Sequence, residues 1–319
     1  LVDHDEQALL ATLPDTGAVL PAGQRFHYSN LAFALLGQVV AARAGAPWWD
    51  TVRARLVEPL GLARTAYDPT QPHAQGYWVR PYEDVLEPEI HVRLQGTAPA
   101  AQLWSTVGDL CQWGAFLGGK GDAAVLAHDT LEEARIPQVI SDEAAWLRGF
   151  GLGLILYRRG ERIYTGHGGA MPGFLSEVVY SAKDGIGAAV AVNTSSGFDT
   201  QTLALDLAEK AAEALLAPEE WAPGEPAPDE LRDLLGHWWS EGSEFTFRWR
   251  EGALEAQPVG AAKGKFVSRF AQEGPDRFRV ASGRERGELL LVERRPDATV
   301  ERMLWATYAF TREPVVFGR

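Results

Sequence analysis

Phe26-His27-Tyr28-Ser29-Asn30 runs directly into Leu31–Ala44, and the reading of this stretch decides the rest. Pro21 and Gly23 mark a turn before it. Ser29 or Asn30 suits a helix N-cap, because a short side-chain oxygen can accept the free N–H groups of a first turn. Leu31, Leu35, Leu36, Val39 and Val40 then recur near helical spacing. A phenol, a hydroxyl and a carboxamide therefore stand together where a loop becomes a helix, a place from which a rigid scaffold can aim side chains into a cleft. The plain alternative is a capped helix with one aromatic packed beside it.

Outward from this stretch the chain first reads as helical. Glu6–Leu13 forms a short helix with Asp3 or Asp5 as its cap, and Trp48–Leu56 continues the helical region after the Gly45–Pro47 turn. Residues 57–100 carry Pro59, Pro69, Pro72, Pro81, Pro88 and Pro99 with little periodicity, which marks a functional or loosely built stretch. Its aromatics Tyr77, Trp78 and Tyr82 could wall a cleft or pack as core. Thr106-x-x-Asp109 opens a further helix to Leu117, which Gly118-Gly119 ends. Asp129–Arg135 is another.

From Phe150 the pattern changes to strands. Leu152, Leu154 and Leu156 alternate, Arg159-Gly160 turns, and Arg162–Thr165 returns. Phe174–Tyr180 and Ile186–Val192 pair across Lys183-Asp184-Gly185, a hairpin signal. Thr200–Leu216 is a helix with Leu203, Leu207 and Ala211 on one face. Hairpins followed by a helix predict an α+β layer structure. Pro218–Pro228 reads as a linker. Beyond it short strands repeat at the spacing of a small barrel or sandwich, with no catalytic motif, and His237 and Trp238-Trp239 read as structural. The expected organisation is residues 1–217, a linker at 218–228, and an all-β domain at 229–319.

Composition excludes several functions. Residues 1–228 hold 28 Asp/Glu against 15 Lys/Arg, a charge of −13, while 229–319 hold 15 of each. An acidic first part repels phosphate backbones, so nucleic acid is not an expected partner. No apolar run approaches the ~20 residues of a membrane span. Cys111 stands alone, so no internal disulfide or cysteine metal site is expected, and a buried thiol is the simpler reading. The histidines show no metal-ligand spacing, and nothing in the sequence asks for a cofactor.

Four segments then carry a resemblance. "GQRFHYSNLAFALLGQVVAARAG", "VEPLGLARTAY" (Val57–Tyr67), "LWSTVGDLCQW" (Leu103–Trp113) and "GHGGAMPGFLSEVVY" (Gly166–Tyr180) resemble, in order, segments of the beta-lactamase-related serine hydrolases, which include class C beta-lactamases, DD-peptidases, esterases and D-aminopeptidases. The resemblance covers about the first two thirds of the chain. It implies a beta-lactamase/transpeptidase-like antiparallel sheet flanked by helices plus a helical subdomain, and an accessory C-terminal β domain like those of some members. One motif departs: the family's nucleophile lies in Ser-x-x-Lys before Tyr-Ser-Asn, and no serine here has lysine three residues later. The expectation is that the nucleophile lies outside this chain and that the catalytic sheet therefore falls short of five strands. The missing segment would then be a partner, alongside a small-molecule or peptide substrate.

By the same resemblance Tyr28 is the general base, Asn30 orients the substrate, and the N–H of Ala170 is one arm of an oxyanion hole. A free phenol, with a pKa near 10, acts as a base near neutrality only if positive charge lowers it. In the family one cation comes from Lys-Thr-Gly, and here His167-Gly168-Gly169 stands in its place. Histidine is only partly cationic near neutrality, and the family's Lys-Thr grip on carboxylates is weakened. Ester, amide or D-amino-acid peptide hydrolysis is thereby favoured over beta-lactam hydrolysis. Gly168 and Gly169 let substrate approach the strand, Ser29 is the cap beside the substrate, and Tyr77 and Trp78 are wall candidates. A non-catalytic binding module that kept the cleft is the competing reading.

Overall fold

The computed structural model describes residues 5–21, 23–216, 223–262 and 264–315, and each of its two units, Leu1–Pro218 and Glu219–Arg319, is built on its own antiparallel sheet. In the first unit α1 (Glu6–Ala11) is capped by Asp5, whose carboxylate accepts from Ala8 N at 2.7 Å. Ser29 caps α2 (Asn30–Ala44), accepting from Ala32 N at 3.2 Å, and Gly45 closes it in the left-handed conformation (φ 66°). α3 (Trp48–Val52) follows, and then a two-stranded ribbon, β1 (Tyr77–Val79) and β2 (Leu86–Pro88), within the irregular stretch. The short α4 (Ala98–Ala101) lies so close to α2 that any side chain at Gly37 would run into Pro99. α5 (Val107–Ala115) starts at Thr106, and α6 is His128–Ala134. Cys111 is exposed on α5, so the expectation of a buried thiol is corrected: it stands on the solvent side of that helix.

The first unit's sheet runs in the order β3 (Val139–Ile140), β4 (Arg148–Phe150), β5 (Ile155–Arg159), β6 (Arg162–Met171), β7 (Phe174–Ser181), β8 (Ile186–Val192). It has six strands, which overturns the expectation of fewer than five. Residues 139–150 supply two short strands too brief to show alternation. Beyond the outer edge of β8 no further strand of the sheet pairs among the described residues, although Tyr77 of β1 bridges to Thr194 just past its end.

Cross-strand partners share a face. Tyr157, Tyr164, Val179 and Val190 lie on one face with Ala204, Leu205 and Ala208 of α7 (Thr200–Leu215). The other face packs on α5, where a Cβ at Gly114 would meet Val178 at 3.0 Å. The helical part has its own core, with Val57, Leu60, Phe116, Leu117, Leu131 and Leu154. No single described helix is long and apolar enough to cross a membrane, although Asn30–Ala44 and Trp48–Val57, bent by 75°, would pass together by length and composition.

The second unit is an eight-stranded meander, β9 (Gly236–Ser240), β10 (Ser243–Arg250), β11 (Ala253–Pro258), β12 (Ser268–Gly274), β13 (Arg277–Ser282), β14 (Leu289–Arg294), β15 (Val300–Trp305) and β16 (Tyr308–Phe310), each paired with the next. Trp239 and Thr311 exchange backbone hydrogen bonds of 2.7 and 2.9 Å, which brings the first strand against the end of the last and nearly closes a barrel. Trp238, Phe247, Phe270, Phe278, Trp305 and Phe310 fill its interior. His237 is exposed and paired with Glu244 at 2.6 Å. Of the expected linker, residues 218–222 lie outside the described residues.

Candidate active site

The loop before α2 is held by aromatics. Phe26 stacks on Phe150 at the end of β4, with ring centroids 4.2 Å apart. Tyr28 follows two residues later, 6.3 Å from Phe150 and 6.1 Å from the ring of His167 on β6. Tyr28 is 44% exposed, so it borders solvent rather than the core. Ser29 is occupied as the helix cap, and Asn30 is exposed at the first turn of α2 beside Tyr28.

His167 is half-buried, with Nδ1 2.6 Å from the carbonyl oxygen of Gly168. That bond orients the ring and leaves Nε2 as its other polar atom. β5 pairs with β6 only as far as Gly166, so residues 167–171 have β7 on one side and no strand on the other. An extended substrate could therefore lie along this open edge and meet backbone N–H and C=O groups.

The two glycines leave room on opposite faces of the strand. A Cβ at Gly168 would stand 2.6 Å from a carboxylate oxygen of Glu177, and one at Gly169 would stand 2.5 Å from Ser176 Oγ. Ala170 is exposed on the same open segment. Tyr28, Asn30, Ser29, His167, Gly168, Gly169 and Ala170 thus come from two elements that meet through Phe26, Phe150 and the Tyr28–His167 contact.

Tyr77 and Trp78 follow Gly76, which packs against Gly173 and Phe174 at the β6–β7 turn. They form β1, both half-buried, and the ribbon is tied to the end of β8: Tyr77 N donates to Asn193 O at 3.1 Å and Ser195 N donates to Tyr77 O at 3.0 Å. Neither ring touches Tyr28 or His167 among the described residues. The aromatic at the β6–β7 turn is instead Trp104, 5.1 Å from Phe174 and flanked edge-on by His73 and His91 at 5.8 and 5.5 Å. Trp104 lies within the Leu103–Trp113 motif, but nothing local distinguishes it from a core tryptophan.

Glu177 was also not legible. It is 4% exposed, accepts a hydrogen bond from Tyr157 OH at 2.9 Å, and lies on β7 opposite Gly168. Loss of solvent pushes its pKa from 4.5 up to about 7, against the opposing effects of the Tyr157 hydrogen bond and the Arg148 charge. The same burial, with the Glu177 charge beside it, pushes the Tyr157 hydroxyl far above its ordinary value. Among the described residues no three His, Cys, Asp or Glu side chains gather as a metal site.

Residues 2–213 match the family model described as Beta-lactamase, and residues 227–312 match a domain of unknown function, DUF7586. Beta-lactamase-like protein 2 of Dictyostelium discoideum is 29% identical over 151 residues, 43% of this chain and 26% of that protein. The D-aminopeptidase of Brucella anthropi is 23% identical over 306 residues, 92% of this chain and 52% of that protein. The chain thus spans about half, or less, of the length of these curated relatives. Among solved structures, the octameric penicillin-binding protein homologue from Pyrococcus abyssi shares the fold with a TM-score of 0.58 at 22% identity, over 98% of this chain and 71% of that one. With a match that runs through residues 2–213 of 319, the chain belongs to the beta-lactamase-related family of serine hydrolases.

Proposed function

We propose that residues 1–217 are the larger part of a serine hydrolase that cleaves an ester, an amide or a D-amino-acid peptide through an acyl-enzyme, with residues 229–319 as an accessory domain after a linker at 218–228. The nucleophilic serine is supplied by a Ser-x-x-Lys segment outside residues 1–319. Tyr28 oxygen takes the proton of that serine as its oxygen bonds to the carbonyl carbon. The carbonyl electron pair moves onto oxygen and is met by the N–H of Ala170. As the tetrahedral intermediate collapses, Tyr28 returns the proton to the departing amine or alcohol. Water then adds to the acyl-enzyme in the same way and releases the acid. Asn30 orients the substrate amide, and His167 supplies positive charge when protonated.

The observation that carries this reading is the 6.1 Å approach of Tyr28 and His167 at the unpaired edge of β6. The relative called D-aminopeptidase, which aligns over 306 residues, supports an amide or peptide substrate. His167 and Gly168 support it further, because standing where the family has Lys-Thr they weaken the grip on a carboxylate.

The test is hydrolysis of a chromogenic acyl ester and of D-amino-acid amides by the full-length protein carrying Ser-x-x-Lys. Tyr28→Phe should lower kcat by about 100-fold or more, the usual size of an acid–base contribution. The 1–319 chain alone should show no acyl-enzyme burst. Robust turnover by residues 1–319 that survives Tyr28→Phe would falsify the assignment.

A further inference from the structure

We propose that Glu177 is a positioning residue for the strand segment 167–170: held from β5 by Tyr157, its carboxyl lies against the α-carbon of Gly168 and fixes the segment that presents His167 and the Ala170 amide. This rests on the reading of that segment given above, and it assigns a role to a group on the far side of the sheet from His167.

The geometry is specific. Glu177 pairs with Gly168 across β6–β7, so both face the α7 side, while His167 pairs with Val178 and faces the other side. One carboxyl oxygen accepts from Tyr157 OH at 2.9 Å, and the other stands 2.6 Å from where a Cβ at residue 168 would be. The side chain therefore spans three strands, from β7 over β6 to β5. On the opposite side the Gly168 carbonyl is bonded by His167 Nδ1 at 2.6 Å. One peptide thus has the imidazole on one side and the buried carboxyl on the other.

The charged surroundings favour a change of state near neutrality. Arg148 on β4 favours the ionised carboxyl, Asp199 at the start of α7 opposes it, and Tyr157 from β5 donates to it, while burial outweighs these. Val190 faces it from β8 and contributes no charge. Ionisation in so dry a place draws water toward the strand, so the order of 167–170 falls as pH rises past neutral.

Two measurements on the 1–319 chain test this without any turnover. In hydrogen exchange from about pH 5.5 to 8.5, corrected for intrinsic rates, protection of residues 167–170 should drop several-fold across neutrality. Glu177→Gln should flatten that change. Tyr157→Phe, which removes a bond favouring the ionised form, should move it to higher pH. In thermal melts Gly168→Ala should cost several degrees, and most of that loss should vanish when Glu177→Ala is combined with it. Without the carboxyl the nearest atom to the new methyl is Ser176 O at 3.6 Å, an ordinary contact. An unchanged exchange profile in Glu177→Gln, or strictly additive melting losses, would overturn the proposal. In the full-length protein Glu177→Gln should flatten the pH dependence of kcat with KM little altered. Absence of all turnover would count against the hydrolase reading, and the exchange and melting results would still decide the role of Glu177.

Discussion

Glu177 shows how a single buried group sets a property of the whole first unit. Its pKa is raised from 4.5 to about 7, so the folded protein holds this proton more tightly than the unfolded chain does. The resulting stability is fully present below pH 4.5 and is lost as pH rises through about 7. The shift corresponds to a loss of the order of 3 kcal/mol. Urea denaturation of the first unit at acidic and at mildly alkaline pH should show this loss, and Glu177→Gln should shrink it. A second residue-scale prediction concerns Gly118, where any Cβ would run into the Tyr180 ring. Gly118→Ala should destabilise by about 1–3 kcal/mol, the usual cost of overpacking, with no change in a surface control such as Gly17→Ala. None of these roles was visible residue by residue. Burial at Glu177 and exposure at Cys111 depend on which face of a strand or helix meets another layer, and that is decided by distant partners.

At the scale of elements, local chemistry was more informative. Ser29 predicted the start of α2, Thr106 that of α5, and the turn at Lys183-Asp184-Gly185 the β7–β8 hairpin, because caps and turns are satisfied by neighbouring residues. Ser29→Ala should cost about 1 kcal/mol in the melt of the first unit, since the bond to Ala32 N is lost. β3 and β4 carry no pattern in the sequence, because two or three residues cannot display a period of two. The contact of Tyr28 with His167 joins positions far apart in sequence, and only the order of several motifs suggested that they meet. Trp104 belongs to a segment with a motif, but its neighbours His73 and His91 come from a stretch with no readable pattern.

The whole molecule divides its chemistry between two builds. Residues 1–228 carry the acidic balance, and the candidate site stands on the open sheet of the first unit, whereas residues 229–319 are electrically balanced and hold the nearly closed sheet of the second. In the second, Trp238 is fully buried, donates to Leu234 O at 2.7 Å and lies beneath Arg312 at 3.9 Å. Trp238→Ala should lower the stability of that unit by about 3–5 kcal/mol in a denaturation curve.

The open end of the first sheet has a practical cost. β8, Ile186-Gly-Ala-Ala-Val-Ala-Val192, is seven residues long without a charge or a proline, and its outer hydrogen-bonding groups meet no strand among the described residues. Such a sequence is a template for self-association of solutions and for fibril growth. Light scattering of concentrated 1–319 protein should therefore climb with time. A lysine introduced at the exposed position 191 (Ala191→Lys) should keep the sample clear without altering the melt, because one charge on a bare rim repels the next molecule.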